Sequence, residues 1–237
     1  MKKLIFLAAL CGALFAKSLE VAQPATPSDT NASNHLELVL ILDKSGSMSG
    51  LEGDTIGGFN SMIQKQRDEN IDASVTTVLF DTKFNVIHDR TPLKKVENLT
   101  SKDYVAGGNT ALLDAVGSTI KRIERVPDIY AKNNRVLFVI ITDGQENSSR
   151  EYSKSQVKKM ISDKQEKYDW EFIFLGANID AASEAESIGI KRQNAVKYEN
   201  SKTGVSANFE AAAELSKDVA MDKKESSKWR EKVVKDK

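Results

Sequence analysis

Short apolar runs alternate along the chain with longer segments in which apolar residues recur every three or four positions. The short runs predict β-strands, at 36–43, 74–81, 83–90, 135–142, 170–177 and 194–198. The longer segments predict helices that bury one stripe, at 54–69, 110–126, 153–167, 181–189 and 203–220. Such alternation predicts an α/β fold, in which a doubly wound, mostly parallel sheet is flanked by helices in the Rossmann-like manner.

One pair of strands departs from the parallel pattern. The strand at 83–90 starts two residues after the strand at 74–81 ends. A parallel crossover needs a dozen residues or more, so a connection this short predicts a hairpin. We therefore expect one antiparallel strand at an edge of the sheet, with the strand at 194–198 as a further edge strand.

The first sixteen residues have the composition of a secretory signal peptide. Two lysines precede an apolar run at 4–15, and the segment ends in the small residue Ala16. The run is too short to span a bilayer of about 30 Å. We therefore expect export to the periplasm or the exterior. Once the signal peptide at 1–16 has been removed, we expect no integral membrane span. A lipoprotein anchored through Cys11 is the alternative, although Leu10 stands where such signals normally have a smaller residue.

The segments on either side of 35–220 are polar. Residues 17–34 contain two prolines among Ser, Thr, Asn and Asp, which predicts a disordered linker. Within it, the residues around Asn31 (Asp-Thr-Asn-Ala-Ser) resemble a bacterial N-glycosylation acceptor, and a plain polar tether is the alternative. Residues 221–237 form a basic extension, for which we predict a solvated tail or a frayed helix.

Composition excludes several classes of function. Lys plus Arg and Asp plus Glu are both 34, so nothing favours a general nucleic-acid-binding surface. The chain has two histidines, His35 and His88, and one cysteine, Cys11. These counts exclude a Cys/His zinc cluster. Any histidine-dependent catalysis would rest on one of two residues.

Three polar clusters lie at strand ends or in adjoining loops. They are Asp43-Lys44-Ser45-Gly46-Ser47 after the first strand, Gly107-Gly108-Asn109-Thr110 before a helix, and Thr142-Asp143-Gly144 after the most apolar strand. Ligands of open α/β sheets bind outside the carboxyl ends of the strands, where the strand order reverses. Each cluster alone is equally consistent with a helix cap or a turn. Together they favour one shared ligand, and hydroxyl and carboxylate oxygens suit Mg²⁺, Mn²⁺ or Ca²⁺.

These clusters resemble the metal-ion-dependent adhesion site (MIDAS) of von Willebrand factor type A (VWA) domains. The match consists of Asp43-x-Ser45-x-Ser47, Thr110 67 residues after Asp43, and Asp143 another 33 residues on. The resemblance covers residues 35–220 and is nearest to bacterial stand-alone members of the family. It implies Ser45, Ser47 and Thr110 as direct ligands of a divalent cation, most simply Mg²⁺. Asp43 and Asp143 would then act through bound water.

The resemblance also implies a mode of action. A cation held mainly by neutral hydroxyls would accept an exposed Glu or Asp of a partner protein. We expect Asn109, Gln145 and Glu146 to form the rim of this docking face, and Lys44 to be solvated. This interpretation assigns no catalytic activity. The alternatives are a metal-dependent phosphoester hydrolase and a metal-free structural binding module.

Overall fold

A computed structural model describes residues 34–223 and 228–234, which belong to one compact unit, Ser33–Lys237. The predicted signal peptide, Cys11, Asn31 and nearly all of the predicted linker lie outside the described residues. Within the described part of the chain, no helix has both the length and the apolar character needed to cross a membrane.

The described residues form a six-stranded mixed sheet in the order β3-β2-β1-β4-β5-β6. Its strands are His35–Asp43 (β1), Ala73–Phe80 (β2), Phe84–Pro92 (β3), Asn134–Thr142 (β4), Glu171–Ala177 (β5) and Ala195–Tyr198 (β6). All neighbours are parallel except β2 and β3, which pair antiparallel at one edge. The predicted doubly wound α/β fold with one antiparallel edge strand is therefore confirmed.

Helices cover both faces of the sheet. They are Glu52–Asp68 (α1), Leu112–Ile123 (α2), Lys154–Tyr168 (α3), Ala181–Ser187 (α4), Lys202–Ala220 (α5) and Lys228–Val234 (α6). Alternate side chains of β1 enter two separate cores: Leu40 packs with residues of α1 and α5, and Ile41 packs with residues of α2 and α3. Burial on both faces explains why the central strands read as continuous apolar runs.

The order of the strands in the sheet reverses between β1 and β4, which are parallel neighbours. From β1 the chain proceeds outward to β2 and β3, then returns to β4 on the other side of β1 and continues to β5 and β6. The carboxyl ends of β1 and β4 thus flank the crevice in which this class of fold binds ligands. Asp43 is the last residue of β1, and Asp143 directly follows β4.

One prediction outside the site was wrong. The basic extension is not simply solvated: α6 buries Trp229 and Val233 in the core that contains α5. Both residues lie four apart on one helical face, so a short apolar stripe within a charged segment was sufficient to dock it.

Candidate metal centre

The carboxylate of Asp43 organises the loop that follows β1. Asp43 is 1% exposed, and its Oδ1 accepts a hydrogen bond from the backbone N–H of Ser45 at 2.7 Å. Its Oδ2 accepts one from Thr142 Oγ1, at the end of β4, at 2.6 Å. Since both oxygens are engaged by the protein, Asp43 holds the ends of β1 and β4 together and orients the loop.

Two serine hydroxyls of this loop face each other. A 3-10 turn at Gly46–Met48 follows Ser45 and brings the Oγ atoms of Ser45 and Ser47 to 3.1 Å from one another. Ser47 Oγ also donates to Asp143 Oδ1 at 2.6 Å. The hydroxyl pair therefore lies between the loops that follow β1 and β4.

The Gly-Gly-Asn-Thr turn is fastened to the same loop through backbone hydrogen bonds. The N–H of Gly107 donates to the carbonyl of Lys44 at 2.9 Å, and the N–H of Gly46 donates to the carbonyl of Gly108 at 3.1 Å. Gly108 has φ of +74°, in the region that favours glycine. Two backbone hydrogen bonds thus join loops that are more than sixty residues apart in sequence.

Thr110 follows that turn and lies beside the third cluster. Its backbone N–H donates to Asn147 Oδ1 at 2.9 Å, and its carbonyl accepts from the N–H of Asn147 at 3.0 Å. A Cβ placed on Gly144 would be 3.2 Å from Thr110 Oγ1 and 3.6 Å from Ser47 Oγ. The two hydroxyls therefore flank the backbone at Gly144, where any side chain would crowd the space between them.

The two carboxylates of the site are buried without a cationic partner. Asp43 and Asp143 are 1% and 2% exposed, and neither forms an ion pair with any Lys, Arg or His that the structure describes. Burial raises the pKa of Asp43 and the pKa of Asp143 above their ordinary values, although hydrogen bonds from Thr142 and Ser47 partly oppose this. The site therefore has an excess of buried negative charge.

The nearest lysine of the motif does not relieve this charge. Lys44 pairs with Asp81, and its side chain is 13% exposed. The expectation that Lys44 is solvated was therefore wrong. Because its ammonium group is committed to a carboxylate at the end of β2, the cluster of Asp43 and Asp143 keeps its negative character.

The donor set fits a hard divalent cation. It consists of two carboxylates and three hydroxyls, and no group of three His, Cys, Asp or Glu side chains able to hold a metal occurs in the described residues. Unpaired charge is costly to bury, and oxygen donors are those that Mg²⁺, Mn²⁺ and Ca²⁺ prefer. A dication bound among Ser45, Ser47 and Thr110 would supply the charge that Asp43 and Asp143 lack.

The predicted rim is only partly available to a partner. Asn109 and Gln145 are exposed. Glu146, in contrast, accepts hydrogen bonds from the N–H of Leu113 at 2.9 Å and from Ser149 Oγ at 2.7 Å through Oε2, and backbone N–H groups bond its Oε1. Glu146 therefore serves the start of α2, and its place in the rim stays a prediction.

Three residues that support the site were not predicted. The hydroxyl of Tyr104 donates to the carbonyl of Asp43, and Asn147 holds Thr110 as described above. Asn200 Nδ2, in the loop after β6, donates to Asp143 Oδ2 at 2.9 Å. Each is distant in sequence from the residue it contacts, so spacing along the chain contains no signal for it.

Other candidate features lie elsewhere. His88 stacks on Phe59 with ring centroids 5.9 Å apart, and His35 bonds Ser74 at the opposite end of the sheet. A cavity of about 460 Å³ lies between β3 and α2, where Phe84 and Arg122 contribute to its lining. None of the five candidate ligands lines it.

Comparison with known proteins supports the fold and leaves the family open. No family model and no curated protein matches the chain. Proximal thread matrix protein 1 from the mussel byssus is similar in structure, with a TM-score of 0.56, 12% identity, and coverage of 77% of this chain and 48% of that one. The PilB minor pilin from Streptococcus sanguinis has a TM-score of 0.54, 14% identity, and coverage of 81% and 63%. The chain thus spans between about half and two thirds of these proteins, and such identities establish a shared fold only.

Proposed function

We propose that this chain is an exported VWA-type domain that binds a partner protein through a divalent cation at a MIDAS. The observation that carries the proposal is the convergence of Asp43, Ser45, Ser47, Thr110 and Asp143 from three loops. The buried carboxylates of this group have no cationic side chain as partner in the described part of the chain. Mg²⁺ is the expected ion, with Mn²⁺ or Ca²⁺ as substitutes.

The residues divide into two roles. Ser45, Ser47 and Thr110 would present neutral hydroxyls as ligands, and the hydrogen bonds among Ser45, Ser47 and Asp143 hold the two serine hydroxyls in place. Asp43 binds Ser45 and Thr142 with its two oxygens. It therefore acts as an orienting charge one step away from the ligands.

The chemistry of this donor set favours an acidic partner. A bound dication supplies a positive centre, and neutral ligands neutralise it less than direct carboxylate ligands would. Ser47 is exposed, whereas Ser45 and Thr110 are buried, so the site opens to solvent on the side of Ser47. A protruding Glu or Asp of another protein can approach from that side. Because Ser47 is exposed, the open side of the site suits contact with another protein's surface.

Export completes the proposal. The composition of residues 1–16 supports a signal peptide. A byssus thread protein and a pilin share the fold. We propose a comparable role for this chain, in protein–protein contacts outside the cytoplasm.

Thermal unfolding of the purified protein in EDTA and in Mn²⁺, Mg²⁺ or Ca²⁺ tests the cation site. A cation at 100 times its dissociation constant should stabilise the fold by about 2.7 kcal/mol. Thr110→Ala should lose this response and keep its fold by circular dichroism. The matched control is Thr119→Ala, which removes another buried threonine hydroxyl, bonded to the carbonyl of Ala115 and remote from the site. A wild-type protein that responds to no cation would contradict the proposal.

Capture of a partner tests the docking function. Bound protein should be released by EDTA, and Asp43→Ala and Thr110→Ala should fail to capture it. Replacing the partner's contacting Glu or Asp with Gln or Asn should abolish binding as well. Capture that persists in EDTA would instead favour a metal-free binding module, and turnover of a phosphoester panel would favour the hydrolase.

A further inference from the structure

A fourth loop, which sequence reasoning did not associate with the site, reaches Asp143. Asn200 lies between the end of β6 at Tyr198 and the start of α5 at Lys202. Its Nδ2 donates to Asp143 Oδ2 at 2.9 Å, although β5 separates β6 from β4 in the sheet. The contact therefore joins the far edge of the sheet to the candidate cation site.

The backbone around Asn200 is closely constrained. Ser201 caps α5 by accepting from the N–H of Gly204 at 3.2 Å, and the N–H of Ser201 donates to the carbonyl of Glu199 at 2.8 Å. A Cβ on Gly204 would lie 2.0 Å from that carbonyl oxygen, so only glycine leaves room for it. Asn200 is thus held between two residues that are anchored to the start of α5.

The side chain of Asn200 makes one hydrogen bond to the described protein, and that bond goes to Asp143. Its Oδ1 is buried and has no hydrogen-bond partner in the described residues. Leaving a buried acceptor unsatisfied is unfavourable. The position of the Asn200 side chain therefore does not satisfy its own carbonyl oxygen. What this position provides is the hydrogen bond to Asp143.

The amide also determines how the Asp143 carboxylate is oriented. Ser47 Oγ donates to Oδ1 at 2.6 Å, and Asn200 Nδ2 donates to Oδ2 at 2.9 Å. Two donors on different oxygens fix the plane of the carboxylate and keep Oδ1 beside the serine hydroxyls. Unlike a lysine or arginine, a neutral amide does this while leaving the negative charge of Asp143 intact.

We propose that Asn200 is a positioning residue that sets the cation affinity of the site by fixing Asp143. This inference rests on the proposed function, because it requires that the site bind a divalent cation. Partners that orient the groups around a metal commonly change its affinity by 10- to 100-fold when removed. The same range is expected here, since Asn200 is the side chain that donates to Asp143 Oδ2.

Titration of the purified protein with Mn²⁺, followed by calorimetry or by electron paramagnetic resonance of free Mn²⁺, tests the inference. Asn200→Ala should raise the Mn²⁺ dissociation constant by about tenfold or more. Asn200→Ser should behave alike, because its hydroxyl is too short to reach Asp143. The matched control is Asn134→Ala, which also removes one amide hydrogen bond, to the carbonyl of Asp128 at 2.7 Å. Asn134 begins β4, at the other end of the strand, and its replacement should leave the Mn²⁺ affinity within twofold.

A stability measurement separates positioning from a structural role. In EDTA, the melting temperatures of Asn200→Ala and Asn134→Ala should fall by similar small amounts. Wild-type protein that binds Mn²⁺ together with Asn200→Ala protein of equal affinity would overturn this inference alone. Unfolding of both Asn200 variants in EDTA would also overturn it, because the role would then be structural. Wild-type protein without Mn²⁺ binding would overturn the proposed function as well.

Discussion

β1 carries one buried carboxylate near each end, and the two have opposite surroundings. Glu37 and Asp43 are both 1% exposed and lie six residues apart, about 20 Å along the strand. Glu37 is paired with Arg90 and lies 3.6 Å from a ring nitrogen of His35. Asp43 has hydroxyl and backbone donors but no cation within the described protein. One end of the strand is therefore neutralised by the chain itself, and the other end is not.

The pKa values follow this difference. Burial alone would raise the pKa of Glu37, but hydrogen bonds from His35 and Arg90 outweigh it, and the pKa falls below its usual value. Burial dominates at Asp43 and Asp143, where the pKa of each carboxyl is raised. A buried carboxylate kept in the charged state requires a positive partner. At the carboxyl end of the sheet the described residues supply no such partner, and the cation proposed above would provide it.

The largest change in the free energy of unfolding is expected at the amino end of β1, where Glu37 pairs with Arg90. Arg90→Met should lower the free energy of unfolding by about 3 kcal/mol, the lower part of the range for breaking a buried ion pair, because water can partly replace a side chain that is 37% exposed. Arg90 has φ of +46°, and methionine would share the same backbone strain, so the difference reports the lost charge. Urea unfolding at neutral pH measures it.

The control for Arg90 is an exposed pair. Arg122 binds Asp89 at 2.7 Å, and the two side chains are 44% and 54% exposed. Arg122→Met should cost less than about 1 kcal/mol, as exposed ion pairs generally do. If the two variants lose the same stability, the paired end is not the buried ion pair described above.

A smaller effect of opposite sign is expected at the carboxyl end. In EDTA, Asp143→Asn should raise the free energy of unfolding, because it removes a charge that burial disfavours. Asn200 can adapt by turning its unpartnered Oδ1 toward the new amide. The same variant should lose the stabilisation by Mn²⁺. Glu37→Gln, the matched change at the other end, should instead destabilise, since it strands Arg90 and His35.

If Asp143→Asn and Glu37→Gln change the free energy of unfolding in EDTA in the same direction, the proposed contrast between the two ends of β1 is wrong. Both remove a single buried carboxylate and preserve its shape, so only the surrounding charge differs. Urea unfolding of the two proteins side by side is sufficient to decide between the outcomes.

The fold, and the meeting of the three polar clusters at one edge of the sheet, could be predicted because their signals are local. Apolar runs such as 135–142 identify buried strands without knowledge of their neighbours. The ends of those strands place Asp43 and Asp143 at one edge of the sheet, where Asp143 accepts a hydrogen bond from Ser47 and Asp43 accepts one from Thr142. The hydrogen bonds between Asp43 and Ser45 and between Ser45 and Ser47 are also local, because each joins residues two positions apart.

The supporting contacts could not be predicted because they are set by tertiary packing. Asn200 meets Asp143 across 57 residues, and Tyr104 meets Asp43 across 61. The same limit produced the error at Lys44, which pairs with Asp81, and it concealed the bond between Glu146 and the start of α2. A side chain's availability depends on what folds against it, and that information is absent from its sequence neighbours.

The smallest expected effect concerns His35 and the pH dependence of stability. Hydrogen bonding to Glu37 and the nearby charge of Asp72 raise the pKa of His35 above 6.5, against the opposing effect of burial. A raised pKa in the folded state means that the stabilisation is complete below the unfolded value and is lost as pH rises through the folded one. Between pH 6 and 8, wild-type protein should therefore lose stability relative to His35→Gln. The loss should stay below about 1 kcal/mol, because His35 is 26% exposed and solvent screens the pair.

The second histidine, His88, also contributes to the pH dependence of stability. The decisive measurement is therefore the difference between the stability profiles of wild-type protein and His35→Gln. Burial lowers the pKa of His88, so its contribution is lost as pH falls through the unfolded value, opposite to that of His35. Both proteins retain His88, so subtracting the His35→Gln profile from the wild-type profile cancels this term. Urea unfolding at half-unit steps of pH gives the difference curve. A curve that rises with pH, or remains flat, would show that the amino end of β1 is held by Arg90 alone.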